Sequence, residues 1–196
     1  MIKPPPSSVP SLLTLSAIIL LGATLRAPIT SVGPLLGPLM MTFHLSAVSA
    51  GWLNALPLLA FGLLAPLAPL LARRVGLERA LFIAVLLVAS GTLIRSLGSQ
   101  WALWLGTLLM PAGIALANVL LPALARRDFS RNPAAIIGLY VTVMSVTASL
   151  ASGIANPLAA LSGSWQFALG IWSLPAILAA ILWGYRARAL PRSGGG

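Results

Sequence analysis

Arg26 lies near the middle of an apolar stretch that runs from Leu12 to Leu36, with no acidic residue near it in sequence. An ionised guanidinium at bilayer depth costs roughly 2.5–3.5 kcal/mol on insertion scales, and more on an isolated helix. A chain retains such a group where it faces a water-filled cavity, a partner charge or a ligand. The only acids are Glu78 and Asp128, both in short basic loops, so a carboxylate partner for Arg26 is hard to find. An anionic solute is the natural substitute, because guanidinium stays charged and presents a planar fork of donors. The alternative is a structural arginine satisfied by carbonyls freed near Pro28. Thr30 follows Arg26 by one helical turn and Ser31 lies beside that face. Their hydroxyls serve either the same ligand or a helix–helix hydrogen bond. Asn118 and Asn54 also interrupt apolar runs. An amide in lipid is costly unless paired, so each faces protein or a cavity. Tyr140 reads as a cavity-lining residue or an interface anchor, and Arg95 most simply as an interface arginine.

These residues need elements to carry them, and composition says which. The chain has 196 residues, 59% hydrophobic and 7% charged, with a mean hydropathy of +1.00. A soluble domain carries about 25% charged residues, so the expectation is an all-α integral membrane protein in a lipid bilayer. There is no cysteine, hence no disulfide or thiolate metal site. His44, the one histidine, falls in an expected loop. The net charge of +10 does not imply nucleic acid, since the charges sit in short turns and form no continuous basic face. Nor do the apolar runs hold an Asp, Glu, His or Cys to act as base, nucleophile or metal ligand. An enzyme, a metal and a cofactor are therefore not expected. A proton site of the usual carboxylate or histidine kind is also missing from the runs.

A spanning helix needs about 20 mostly apolar residues. Six segments qualify: roughly 11–36, 47–71, 78–97, 101–124, 135–157 and 165–185. Gly37 and Pro38 are expected to end the first. Residues 1–10 read as a lead, 11–186 as the helical bundle and 187–196 as a flexible tail. Ten of the 12 basic residues fall on one side: Lys3, Arg73, Arg74, Arg79, Arg126, Arg127, Arg131, Arg186, Arg188 and Arg192. The positive-inside rule then puts both termini in the cytoplasm of a multi-pass inner (plasma) membrane protein. An even number of spans requires the same. Trp101, Trp104 and Trp165 at outer ends, with Trp183 and Tyr185 at an inner end, read as interface anchors. Proline and glycine concentrate inside spans one, two and four, where they kink helices and permit close approach.

Leu25–Leu36 reads LRAPITSVGPLL. It resembles the first-span signature of the cyanate permease family of major facilitator transporters, which includes nitroimidazole transporters. LNALP at Leu53–Pro57, LIRSLGSQ at Leu93–Gln100, LPALARRDF at Leu121–Phe129 and Gly138-Leu139 follow in the same order. The resemblance covers about residues 20–185. It implies one half of a major facilitator fold, a 3+3 helix bundle that works by alternating access with a C-terminal six-helix half or a second copy. It also implies that spans one and four line the central cavity. Asn118 then becomes the better ligand candidate and Asn54 a packing residue, while Arg95 acquires a possible gating role. The general facilitator loop after span two reads Gly, three residues, Asp, Arg, one residue, Gly. Here Pro69 takes the Gly place and Arg73 the Asp place, with Arg74 and Gly76 retained.

The expected function is transport of a small anion or small polar solute, cyanate-like, drawn to Arg26. Thr30, Ser31, Asn118 and Tyr140 join Arg26 as substrate-binding candidates, and Asn54, Arg95 and Arg74 as structural or gating ones. The alternatives are a six-span interaction protein, an inactive truncation, or a half-size carrier that works as a homodimer.

Overall fold

The computed structural model describes residues 11–189. Among these residues all regular structure is helical. Six segments are long and apolar enough to cross a membrane. Span one is built from α1 (Ser11–Thr24), α2 (Ala27–Thr30) and α3 (Val32–Phe43), and span two from α4 (Ala47–Leu64) and α5 (Ala68–Val75). Spans three, four and five are single helices: α6 (Leu77–Arg95), α7 (Gln100–Asp128) and α8 (Pro133–Ser162). Span six comprises α9 (Trp165–Gly170) and α10 (Ser173–Ala189). The lead expected at 1–10 lies outside the described residues. The final helix runs to Ala189, three residues into the segment expected as tail.

Local chemistry accounts for the boundaries. The Ser46, Asn132 and Ser164 side chains cap α4, α8 and α9 by accepting from the Ser49, Ala135 and Phe167 amides. Gly76 and Gly163 hold φ of 91° and 64° where α5 and α8 stop, a region open to glycine at little cost. Pro66 and Pro69 account for a single 3-10 turn, Ala65–Leu67, between α4 and α5. Gly37 and Pro38 do not end span one: α3 continues through both to Phe43 and stops at His44, whose φ is 51°. Leu35 and Leu39 on α3 are fully buried with Leu45, Leu53 and Trp165, and that packing carries the helix past the proline.

Span four is the axis of the bundle. It packs most closely against span three, and also against span two. Span six lies on span three, and span one lies between spans five and six. Glycine makes the contact between spans three and four possible. A Cβ on Gly106 would run into the Gly91 carbonyl and the Arg95 backbone, and one on Gly113 into the Ala84 carbonyl. Two apolar clusters result. Leu21, Val85, Leu121 and Trp183 belong to one, and Leu35, Leu53, Leu103 and Trp165 to the other.

The tryptophan expectations divide. Trp101 and Tyr185 are exposed. Trp183 and Trp165 are buried instead, because each has a partner inside. The Trp183 indole donates to the Ala17 carbonyl at 3.3 Å. Trp165 meets the Phe43 ring edge-on, with centroids 5.5 Å apart.

Candidate functional site

Arg26 occupies a break. Pro28 has no N–H to give the Thr24 carbonyl, and helical bonding lapses at Leu25 and Arg26. The chain resumes at once, since the Arg26 carbonyl accepts from the Ile29 and Thr30 amides at 3.0 Å. Interruption and charge therefore coincide mid-span, and the Arg26 side chain stands exposed on the surface of the described bundle. Among the described residues the ion pairs involve only Arg127 and Arg186 with Glu78 and Asp128. Arg26 has no carboxylate partner among them.

The acids are engaged at the arginine-rich end. Arg127 pairs with Glu78 and Asp128, and Arg186 with Asp128, while Arg186 lies 3.9 Å from Glu78. The Arg186 guanidinium also donates to the Thr14 hydroxyl and sits 5.5 Å from the Trp183 ring centroid. This network ties spans one, three, four and six together at one end.

The hydroxyls beside Arg26 are turned to packing. The Thr30 hydroxyl is within donating reach of the Ala148 carbonyl on span five at 3.1 Å and of the Arg26 carbonyl at 3.2 Å. Ser31 is fully buried, and its hydroxyl donates to the Pro28 carbonyl at 3.2 Å. Tyr140 is 5% exposed and packs against Gly22, in the core rather than on a cavity wall or at an interface. Asn118 and Asn54 are both exposed, as is Arg74 at the end of span two. Arg95 departs furthest from expectation. It was expected at the interface, yet its side chain is 0% exposed and lies among spans one, two, three and four.

One feature escaped the sequence reading. Thr142, Ser145, Ser149, Ser152 and Asn156 all fall on exposed positions of span five. Their spacing of three and four residues places them on one helical face. The helical spacing of these side chains is itself a signal that the sequence carries. Gly22 packs on Tyr140 and Thr30 bonds at Ala148, the same offset of 118 residues. Spans one and five thus run parallel in a fixed register, and Arg26 falls level with Met144 and Ser145, at the polar stripe. The Thr142, Ser145 and Ser149 hydroxyls donate to backbone carbonyls one turn back.

Comparison with known proteins decides the family. A family description, Major Facilitator Superfamily, matches residues 12–195. The chain belongs to this superfamily. It is 43% identical over 170 residues to the "Uncharacterized transporter YycB" of Bacillus subtilis, covering 86% of this chain and 42% of that protein. It is 43% identical to the "2-nitroimidazole transporter" of Escherichia coli over 86% of this chain and 43% of that protein. The "Cyanate transport protein CynX" of the same organism is 33% identical over 86% of this chain and 44% of its own length. The chain thus spans less than half the length of the curated relatives it matches. Two of these relatives are by name a nitroimidazole and a cyanate transporter, the group that the first-span motif resembles. The protein is an all-α, multi-pass membrane protein with one half of the major facilitator fold.

Proposed function

We propose that this chain forms the N-terminal half of a transporter for a small anion or small polar solute, with Arg26 as the group that draws the anion to mid-membrane. The observation that carries the reading is the exposed, carboxylate-free guanidinium at the break in span one. Transporters of several folds place their sites at the midplane, where interrupted helices meet. A charge so costly in lipid is retained where a cavity solvates it and a ligand neutralises it. Asn118 on span four adds an exposed amide, and the serines of span five add polar surface at the level of Arg26. Cyanate is the first candidate, because a cyanate transport protein is among the relatives. On this reading the bilayer is the plasma membrane, and the distribution of arginine turns the arginine-rich end, with both chain ends, to the cytoplasm.

The working unit on this reading pairs the bundle with a second six-helix unit, a C-terminal half or another copy. Spans two and five are only 17% and 11% buried along their apolar cores, against 61% for span four. These are the faces left for the second unit and the cavity.

The test is a pair of substitutions in the transport-competent protein. Arg26→Lys keeps the charge and loses the planar fork, so uptake should weaken. Arg26→Ala should abolish anion binding while the protein still inserts. Melting curves with and without cyanate read binding directly. An Arg26→Ala protein that keeps the full cyanate-dependent rise in melting temperature would remove Arg26 from the site.

A further inference from the structure

Arg95 ends span three, where an arginine is ordinarily free to turn toward the headgroups. Helical side chains lean toward the N-terminus of their own helix. For α6 that direction leads back into the bundle, and Arg95 follows it. All three guanidinium nitrogens are buried without a hydrogen-bond partner. Arg95 lines a small cavity of about 20 Å3, whose wall includes Ile29 and Val32 of span one, Asn54 of span two, and Thr107 and Met110 of span four. The close approach that Gly106 allows holds span four against the Arg95 backbone.

A buried, unpaired guanidinium is among the least favourable groups a protein can hold. The sequence contains two acids, and both are engaged in the network with Arg127 and Arg186. The cavity wall contains no carboxylate. The Thr107 hydroxyl spends its proton on the Leu103 carbonyl at 2.7 Å. Asn54 lines the cavity and is also exposed, so it stands at the mouth, with an amide N–H₂ free to turn inward. The Thr107 oxygen can only accept, so the donors of the lining are the Arg95 N–H groups and the Asn54 amide, around space for one occupant about the size of a water molecule or a chloride ion.

We propose that the Arg95 cavity is a halide-sized anion site, separate from Arg26, in which one chloride neutralises the guanidinium and is held by the Arg95 N–H groups and the Asn54 amide. The bound anion joins spans two and three behind span one. The small volume favours a compact halide over a longer solute such as cyanate, and the experiment below compares the two. The proposal does not depend on what is transported.

The test uses the intact protein in lipid nanodiscs prepared in sodium gluconate, whose anion is too large for the cavity. Chloride or bromide then replaces gluconate at constant ionic strength while the melting temperature is followed. Both halides should give a saturable rise. Arg95→Gln should remove it, Arg26→Gln should keep it, and Asn54→Ala should weaken halide affinity about tenfold or more. The absence of a halide-specific rise in the unsubstituted protein overturns the proposal. So does a full rise in folded Arg95→Gln, or an Arg95-dependent rise given by cyanate and not by the halides. If Arg95→Gln does not fold, Asn54→Ala decides: weakened halide affinity supports the site, and unchanged affinity overturns it.

Discussion

Arg186 has 2% of its side chain exposed, yet its charge is well balanced, with Asp128 bonded to it, Glu78 3.9 Å away and Trp183 beneath it. Removing one partner from a buried pair leaves an uncompensated charge and costs about 3–5 kcal/mol. Asp128 keeps 21% of its side chain exposed, so the lower end of that range applies. Asp128→Asn should therefore destabilise the bundle by about 3 kcal/mol, read as a lower melting temperature in detergent. A melting curve unchanged by the substitution would show that Glu78 alone balances Arg186. Arg26 stood out in the sequence because its depth depends only on counting residues along an apolar run. Arg95 did not, because its position at a helix end allows two directions for the side chain. Packing chose between them, through Gly106 on a different span. Ser31 and Tyr140 differ from their sequence reading for a related reason. Residue type marks a polar group, but packing decides whether it stands on a surface or, as with these two, in the interior.

Span existence was legible at the level of elements because lipid demands a long apolar run with its backbone bonded internally. The breaks were partly legible. Pro28 foretold freed carbonyls near Arg26, whereas Gly37 and Pro38 gave a false end. Proline is tolerated inside a membrane helix when neighbours hold the flanking turns, as Leu35 and Leu39 do here. Glycine carried a sharper message than its frequency suggested. Gly91, Gly106 and Gly113 admit no Cβ without displacing backbone, while Gly153 on span five has open space around it. Overpacking at a tight position costs roughly 1–3 kcal/mol, and more where backbone must move. Gly106→Leu should lower stability by about 3 kcal/mol or prevent folding, and it should do so by separating spans three and four. In this six-helix chain without a second unit, Gly153→Leu should leave the melting temperature within about 2 °C of the parent, which is less than a 1 kcal/mol change would produce. Equal losses at the two positions would refute the packing account.

For the whole molecule, the charge distribution and the folded arrangement point the same way. Arg73, Arg74 and Arg79 flank the junction of spans two and three, and Arg126, Arg127 and Arg131 that of spans four and five. Arg186 and Arg188 close span six. All belong to one end of the bundle, because consecutive spans alternate in direction. The opposite end, at His44, Ser96–Ser99 and Gly163, carries no arginine outside the interior, since Arg95 is turned inward. With that side chain withdrawn, the asymmetry is greater in the folded molecule than in the sequence. Lys and Arg in short loops set orientation, so the arginine-rich end should face the cytoplasm. The absence of cysteine makes this simple to measure. Ser162 and Ser130 are exposed at opposite ends, and Ser99 is partly exposed near the first of them. A cysteine placed at Ser162 or Ser99 should react with an impermeant thiol reagent added outside intact cells. A cysteine at Ser130 should react only after the membrane is opened. The Ser130 result decides, because labelling there in intact cells would reverse the orientation and turn the mouth beside Asn54 toward the cytoplasm.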